Sequence, residues 1–136
     1  MAASGVAYHA PMRVPRLQDA SLYSICLAVL LVALALGTGF TMVRKKGKLP
    51  YETRSVSYDL EYGTDTVEMH IDAVKPGQRV LLVDDLIATG GTAAAAVRLA
   101  RDAGAQVVAC AFLIELGFLK GRSKLGVERV HVVLNY

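Results

Sequence analysis

The residues best suited to chemistry lie at positions 83–92, in the sequence VDDLIATGGT. Two adjacent carboxylates, Asp84 and Asp85, precede a short run of small residues that contains Gly90 and Gly91. Glycines allow a backbone to approach a ligand closely, and the free N–H groups at the start of a helix bind phosphate. Carboxylates beside such a loop suit hydroxyl groups or a hard cation such as Mg²⁺. The segment therefore predicts a phosphate site next to a site for hydroxyl groups or magnesium.

Two common nucleotide-binding motifs are absent from the sequence. A P-loop requires GxxxxGK[ST], and Gly91 is followed by Thr92 rather than by lysine. A Rossmann fingerprint requires GxGxxG, and the Gly-Thr-Gly at 37–39 is followed by Phe-Thr-Met. The predicted phosphate site therefore belongs to a different class of loop.

A group of basic residues could also bind an anion. Arg44, Lys45, Lys46 and Lys48 follow an uncharged stretch, and Asp19 is the only acidic residue among the first fifty. The group is consistent with a solvated loop, a phosphate-binding loop or the cytoplasmic flank of a membrane segment. The net charge of +3 does not separate these readings, because it suits an anionic small molecule as easily as a nucleic acid or a lipid surface.

The elements that must position the acidic pair form an alternating pattern. The sequence predicts a helix, capped by Thr92 and ended by Gly104, among apolar strands at 79–83, 106–114 and 129–134. The run at 79–83 is typical of a strand buried on both faces. A strand, a helix and a strand at this spacing form a right-handed βαβ unit, and ligands bind beyond the carboxyl ends of its strands. The acidic pair and the glycines lie at that end.

The remaining pattern completes the predicted fold. Residues 55–62 and 66–71 alternate apolar and polar types around a Gly-Thr-Asp turn at 63–65, which predicts a half-exposed hairpin. We therefore predict an α/β fold with an open, mainly parallel sheet, flanking helices and a β-hairpin. A length of 136 residues fits one domain, and 54% hydrophobic with 20% charged residues excludes a disordered chain. We expect residues 22–136 to form this domain and residues 1–21 to be a loose leader.

Residues 20–43 contain no charged side chain and raise the question of a membrane segment. The unbroken apolar part, residues 25–36, is shorter than the roughly 20 residues that a spanning helix needs. The Gly-Thr-Gly at 37–39 then interrupts the stretch. This pattern predicts a buried helix that ends at the Gly-Thr-Gly break and a strand that begins after it.

Two further features concern the cellular compartment. Arg13 and Arg16 precede the apolar run, and Ala-Leu-Gly at 35–37 resembles a weak cleavage site, so a membrane-anchored or secreted form is an alternative. Cys26 and Cys110 lack CxxC spacing and lie among apolar residues, which favours buried, reduced thiols. The cysteines therefore favour a reducing compartment.

Five segments of the chain resemble a known family. VLLVDDLIATGGT at 80–92 resembles the phosphoribosyl-pyrophosphate-binding motif of the type I phosphoribosyltransferases. Four others resemble the corresponding segments of the adenine phosphoribosyltransferases, in the same order: GFTMVRKKGKLP (39–50), SYDLEYG (57–63), KPGQRV (75–80) and LKGRSKL (119–125). The resemblance covers about residues 37–136. It implies that residues 40–43 form a core strand that delivers Arg44 to the phosphate site. Residues 22–36 would then form a helix that covers the sheet, either between core layers or in place of lost sequence.

The resemblance implies transfer of 5-phosphoribose from phosphoribosyl pyrophosphate to adenine, a purine-salvage reaction that gives AMP and pyrophosphate with Mg²⁺ present. It also implies a cytoplasmic homodimer that acts without nucleic acid or membrane. Asp84 and Asp85 would face the ribose hydroxyls and hold magnesium through them or through water, and Glu61 would be the catalytic residue near the purine. The implied substrate-binding residues are Arg44, Lys45, Lys48, Tyr62, Asp84, Asp85, Ala88, Thr89, Gly90, Gly91 and Thr92.

The same resemblance assigns the basic group to pyrophosphate. Arg44, Lys45 and Lys48 match positions that neutralise it, and the segment up to Tyr58 corresponds to a lid that protects the activated ribose from water. Members of the family also carry an Arg-Gly pair in an earlier pyrophosphate loop, and no such pair precedes Gly37 here. We therefore expect an N-terminal part that diverges from the family or is missing, which leaves the fold incomplete at that end, with a non-catalytic nucleotide-binding module as the alternative function.

Overall fold

The computed structural model describes residues 17–60 and 62–136, with side chains from Cys26 onward. Most of the predicted leader and the predicted catalytic residue Glu61 lie outside this part of the chain. The described elements are α1 (Leu17–Leu36), β1 (Arg44–Lys45), β2 (Thr53–Leu60), β3 (Gly63–His70), β4 (Arg79–Ile87), α2 (Gly91–Asp102), β5 (Gln106–Glu115) and β6 (Val130–Asn135). Two short 3-10 turns, Gly117–Leu119 and Gly121–Lys124, lie between β5 and β6.

Strands β4, β5 and β6 form a parallel sheet in that order, which confirms the predicted βαβ unit. Helix α2 connects β4 to β5 and packs on one face of the sheet. Val97 of α2 clusters there with Cys110 and Phe112 of β5, all of them buried. Burying side chains of this size stabilises a fold by about 1.5–3 kcal/mol each, so this layer holds the end of β4 against α2.

On the opposite face of the parallel sheet, the part of the chain that the structure describes leaves several apolar side chains exposed. Leu81, Leu113 and Val133 alternate along their strands with the residues that face α2, and they are 36%, 47% and 72% exposed. Parallel sheets are normally covered on both faces. The prediction that residues 79–83 are buried on both faces is therefore wrong: β4 is an edge strand, α2 packs on one of its faces, and Leu81 stays 36% exposed although α1 contacts this strand.

A second sheet, antiparallel with the order β1-β3-β2, packs on the other side of α2. Val67 and Met69 of β3 are buried against Leu99 of the helix, so α2 lies between the two sheets. The hairpin itself is confirmed, but its predicted turn is displaced. Leu60 pairs with Gly63, and the strands therefore connect at positions 61–62, whereas the predicted turn at 63–65 belongs to β3.

Helix α1 begins at Leu17, earlier than the predicted start, and ends at Leu36 as predicted. Gly37 has a φ of +63°, and the N–H of the next residue returns to the carbonyl of Ala33 at 2.9 Å, a common glycine-terminated end. The prediction that this helix lies between core layers is wrong, because Leu31 and Leu34 are 58% and 67% exposed. Within the described residues, no helix combines the length and apolar character needed to cross a membrane.

The predicted core strand at 40–43 is also wrong. The structure places a strand only at Arg44–Lys45, where Arg44 pairs with Glu68 of β3. Phe40 is exposed rather than buried. No strand among the described residues pairs with residues 40–43. Without such a partner, the apolar side chains of this segment are not enough to form a strand.

Candidate functional site

The acidic pair belongs to strand β4, which continues past the predicted end at Val83 to Ile87. Successive side chains of a strand point to opposite faces, and Asp84 is half-buried whereas Asp85 is exposed. The N–H of Asp85 donates to Oδ1 of Asp84 at 3.0 Å. Burial raises the pKa of Asp84 to about 6, and the charge of Asp85 acts in the same direction while that hydrogen bond opposes it. A cation or a hydroxyl donor placed at Asp84 therefore keeps it ionised.

The loop after the acidic pair leads directly into helix α2. Gly90 precedes the helix with a φ of +78°, a conformation that glycine adopts without strain. The predicted N-cap role of Thr92 is wrong, since the helix already begins at Gly91 and no side chain caps it. Its first N–H groups consequently have no intrahelical acceptor and remain available to an anion.

A recess of about 250 Å³ opens in front of these N–H groups and is lined by residues 84–93. It contains every residue that the sequence assigned to phosphate and ribose: Asp84, Asp85, Ala88, Thr89, Gly90, Gly91 and Thr92. The positive end of the helix dipole and the free amides favour an anion there, and the two carboxylates favour hydroxyl groups or a cation beside it. The recess can therefore hold a phosphorylated polyol.

The second 3-10 turn, Gly121–Lys124, packs directly against this loop. A Cβ on Gly121 would collide with the carbonyl oxygen of Ala88 and stand 2.9 Å from the nitrogen of Gly90. A Cβ on Gly90 would in turn collide with the carbonyl oxygen of Gly121. Both glycines are therefore required by the close approach of two backbones, a role that the resemblance of LKGRSKL did not reveal.

An ion pair anchors that turn to the sheet. Both carboxylate oxygens of Glu115, at the end of β5, accept from Arg122, with Nε at 2.7 and 2.8 Å and Nη2 at 2.5 Å. Glu115 is 4% exposed, and Arg122 holds its pKa below the usual value. The sequence analysis did not identify Glu115. Its position as the one charged residue of β5, at the end of the strand, could have marked it as a residue with a specific partner.

The hairpin reaches the phosphate loop through one side chain. The hydroxyl of Tyr58, on β2, lies 2.9 Å from Oγ1 of Thr92 and 3.3 Å from Oδ2 of Asp65. The ring of Tyr58 lies against Gly91, where a Cβ would be 3.5 Å from its Cδ2. Sequence reasoning placed Tyr58 only at the end of a lid, and no pattern linked it to Thr92.

The predicted pyrophosphate residues lie beside this hairpin. Lys45 forms an ion pair with Asp65 at 2.8 Å, which holds the pKa of Asp65 below its usual value. Glu68 is buried and accepts the backbone N–H groups of Lys48 and Leu49 at 3.1 and 3.0 Å. Glu68 thus fixes the turn that carries Lys48, another role that the sequence did not indicate.

The end of the hairpin and the phosphate loop border a second recess of about 560 Å³. Its lining residues are Asp59, Leu60, Tyr62, Thr89, Gly91 and Lys124. Tyr62 is 94% exposed, so its ring is free to cover a ligand placed between hairpin and loop. Glu61, which precedes it in the sequence, lies outside the described residues, and its predicted catalytic role stays a prediction.

Magnesium fits the carboxylates of the first recess. Among the residues that the structure describes, no group of three or more metal-ligating side chains is assembled. Mg²⁺ bound with phosphate substrates usually takes only one or two protein carboxylates and keeps several waters. Asp84 and Asp85 supply this number beside the anion-binding amides.

A family model described as the phosphoribosyl transferase domain matches residues 27–133. The chain belongs to the phosphoribosyl transferase domain family. Within it, the chain is similar to the adenine phosphoribosyltransferase of Syntrophotalea carbinolica, with 58% identity over 105 residues, 77% of this chain and 61% of that protein. The chain thus spans about three fifths of the length of the curated relatives that it matches.

Solved structures of the family have the same fold. The adenine phosphoribosyltransferase of Rhodothermus marinus superimposes with a TM-score of 0.78 at 58% identity, over 81% of this chain and 63% of that one. The enzyme from Saccharomyces cerevisiae, solved with adenine and an imino-altritol bisphosphate, gives 0.76 at 48% identity over 80% and 61%. These likenesses confirm the predicted fold class and the resemblance from which it was drawn.

Proposed function

We propose that this chain is an adenine phosphoribosyltransferase, which transfers 5-phosphoribose from phosphoribosyl pyrophosphate to adenine in purine salvage. The observation that carries the proposal is the first recess, where free helix N–H groups lie beside two strand carboxylates. The identity of more than half of the matched residues to adenine phosphoribosyltransferases supports the choice of base.

The 5-phosphate would bind to the loop between β4 and α2. The amides of Ala88 to Thr92 and the hydroxyls of Thr89 and Thr92 offer donors, and the helix dipole favours its charge. Since the backbones of Gly90 and Gly121 are in contact, the turn after β5 would hold this loop in its shape before the substrate arrives. Such preorganisation reduces the entropy lost on binding.

The ribose would face Asp84 and Asp85. During transfer, N9 of adenine forms a bond to the anomeric carbon, the bond from that carbon to the pyrophosphate oxygen breaks, and the N9 proton leaves. Positive charge develops on the ribose ring, and fixed carboxylates stabilise it. Magnesium, held by Asp84 and Asp85 through hydroxyls or water, would neutralise charge on the departing pyrophosphate.

The hairpin would supply the remaining contacts. Arg44, Lys45 and Lys48 are the proposed partners of pyrophosphate, and Lys45 must exchange Asp65 for the ligand to take this role. Tyr62 would cover the substrate, and Glu61 would manage the N7 and N9 protons of adenine. By the same resemblance we propose that the protein acts as a cytoplasmic homodimer.

The test is to incubate the purified chain with labelled adenine, phosphoribosyl pyrophosphate and Mg²⁺ and to measure AMP. We expect product with the wild-type chain, a loss of about two orders of magnitude or more with Glu61→Gln, as for removal of an acid-base group, and little change with the exposed-site control Arg98→Gln. AMP no higher than in the Glu61→Gln control would refute the catalytic proposal.

Binding measurements separate the alternative of a non-catalytic module. Calorimetric titration with phosphoribosyl pyrophosphate and Mg²⁺ would show saturable binding in both cases, weakened by Asp85→Asn. Binding without AMP formation would establish the non-catalytic module, and turnover of hypoxanthine in place of adenine would contradict the proposed base.

A further inference from the structure

Three hydrogen-bonded contacts connect the base of the predicted lid to the phosphate loop. Nζ of Lys45 on β1 contacts Asp65 on β3 at 2.8 Å, Oδ2 of Asp65 lies 3.3 Å from the hydroxyl of Tyr58 on β2, and that hydroxyl lies 2.9 Å from Oγ1 of Thr92 on α2. Tyr58 and Asp65 are also direct cross-strand partners. Four separate elements therefore meet in one chain of polar contacts.

From this chain we propose that Tyr58 is a positioning residue, which couples occupation of the phosphate loop to the seating of the β2–β3 hairpin on α2. The inference rests on the proposed function only in taking a phosphate ester as the ligand of the loop. Glu61 and Tyr62 follow β2 in the sequence, so the position of the hairpin decides where the proposed catalytic segment starts.

The donor and acceptor roles in this chain of hydrogen bonds explain how a ligand in the loop affects the hairpin. Asp65 is ionised and accepts only, while the hydroxyls of Tyr58 and Thr92 each have a single proton to donate. A phosphate ester in the recess is also an acceptor, and the hydroxyl of Thr92 donates its hydrogen bond to it. The oxygen of Thr92 then accepts from Tyr58, so that Tyr58 donates to Thr92 and Thr92 donates to the ligand. Hydrogen bonds arranged in one direction polarise and strengthen one another.

The contact to Asp65 can be given up without leaving an unpaired charge. When ribose 5-phosphate alone is bound, no pyrophosphate competes for Lys45, so the carboxylate of Asp65 keeps Lys45 at 2.8 Å and also accepts the backbone N–H of Thr66 at 2.8 Å. The contact from Tyr58 is the longest of the three. Rotation of the Tyr58 hydroxyl, so that it donates to Thr92 instead of Asp65, therefore costs little, and the resulting chain of hydrogen bonds holds the hairpin more firmly to α2.

The ring and the hydroxyl of Tyr58 have separable roles. The half-buried ring packs on the apolar cluster that contains Val67 and Leu99, and it lies against Gly91. Tyr58→Phe keeps this packing and removes only the hydroxyl. The chain also offers a matched control, because the hydroxyl of Ser57 bonds to that of its cross-strand partner Thr66 at 2.9 Å, on an exposed part of the same hairpin.

The experiment measures ribose 5-phosphate binding and amide hydrogen exchange of residues 53–70 in the wild type, Tyr58→Phe and Ser57→Ala. In the wild type and in Ser57→Ala, ribose 5-phosphate is expected to slow exchange in the hairpin. In Tyr58→Phe, binding should weaken by about two- to tenfold, as expected for one hydrogen bond, and at saturation the hairpin should no longer respond.

A merely structural role of the hydroxyl would instead change exchange equally with and without ligand. The inference is overturned if saturating ribose 5-phosphate protects the hairpin of Tyr58→Phe as well as that of Ser57→Ala, or if the wild-type chain does not bind ribose 5-phosphate. Neither readout requires turnover. Binding with hairpin protection but without AMP formation would therefore refute the proposed enzyme activity and leave the coupling intact.

Discussion

Gly90 and Gly121 are in backbone contact, although thirty positions separate them in the sequence. Neither position has space for a Cβ, because each would collide with a carbonyl oxygen of the opposite segment. The predicted phosphate loop and the turn after β5 thus pack together as one unit. The shape of the recess depends on both.

Gly121→Ala should therefore open the loop. Its Cβ would meet backbone atoms, which cannot rotate away, and overpacking of this kind costs about 1–3 kcal/mol. We expect a lower melting temperature and weaker binding of ribose 5-phosphate, measured by scanning calorimetry and titration. Gly39→Ala is the control, since that position has open space around it. Equal binding by the two variants would show that the contact does not shape the site.

Removal of Arg122 should leave a buried carboxylate without its partner. Arg122→Met keeps much of the side-chain volume and removes both donors to Glu115. The expected loss is about 1–2 kcal/mol in the free energy of unfolding. This is less than for an ion pair with both partners buried, because Arg122 is partly exposed to water. Urea denaturation measures it.

The control for this variant is Arg98→Met, which removes an exposed ion pair with Asp102 whose atoms are 3.7 Å apart. Exposed pairs contribute little, so this change should be close to neutral. A cost for Arg98→Met as large as that for Arg122→Met would contradict the special role of the buried pair.

Glu68 should make stability depend on pH on the acid side. The N–H of Leu49, followed by other backbone donors, holds its pKa below the usual 4.5. A folded pKa lower than the unfolded one gives stability that is present above pH 4.5 and is lost as pH falls through the folded value. Glu68→Gln should therefore lower the melting temperature at pH 7, and the difference from wild type should shrink below pH 4.5. A difference that is constant from pH 7 to pH 3 would argue against this assignment.

The exposed leucines of α1 should bind apolar dyes. Leu27, Leu31 and Leu34 leave apolar side chains in contact with water on a helix of 20 residues. We expect the fluorescent dye ANS to bind the native protein and to bind less after Leu31→Glu with Leu34→Glu. The control is Tyr51→Glu, an exposed position away from the helix. Unchanged dye binding in the double variant would place the exposed apolar surface elsewhere.

Local sequence patterns predicted the elements whose neighbours are close in the chain. The βαβ unit follows from apolar runs and Gly104, and the acidic pair and its glycines line the first recess. Contacts between segments that are distant in the sequence have no comparable local pattern. The dependence of Gly90 on Gly121 and of Tyr58 on Thr92 arises when distant segments meet, and no local preference records such a meeting.

The errors have the same origin. Apolar content underlies both the predicted burial of residues 79–83 and the predicted strand at 40–43. It does not show how many strands or helices lie next to a segment. Residues 79–83 lie at a sheet edge, and residues 40–43 lack a partner strand among the described residues. The turn predicted at 63–65 failed because Gly63 and Asp65 suit turns in general, whereas the pairing of Leu60 with Gly63 sets the register.

The uncovered face of the parallel sheet also determines how this chain responds to heat. The heat capacity of unfolding rises with the apolar surface newly exposed to water, and globular domains give about 12–15 cal/mol/K per residue. Leu81, Leu113 and Val133 are already partly in contact with water in the folded chain and add less to that change than buried side chains would. The heat capacity of unfolding, measured by scanning calorimetry, should therefore be smaller than for a chain of this length whose parallel sheet is covered on both faces, and the stability curve should be correspondingly flatter.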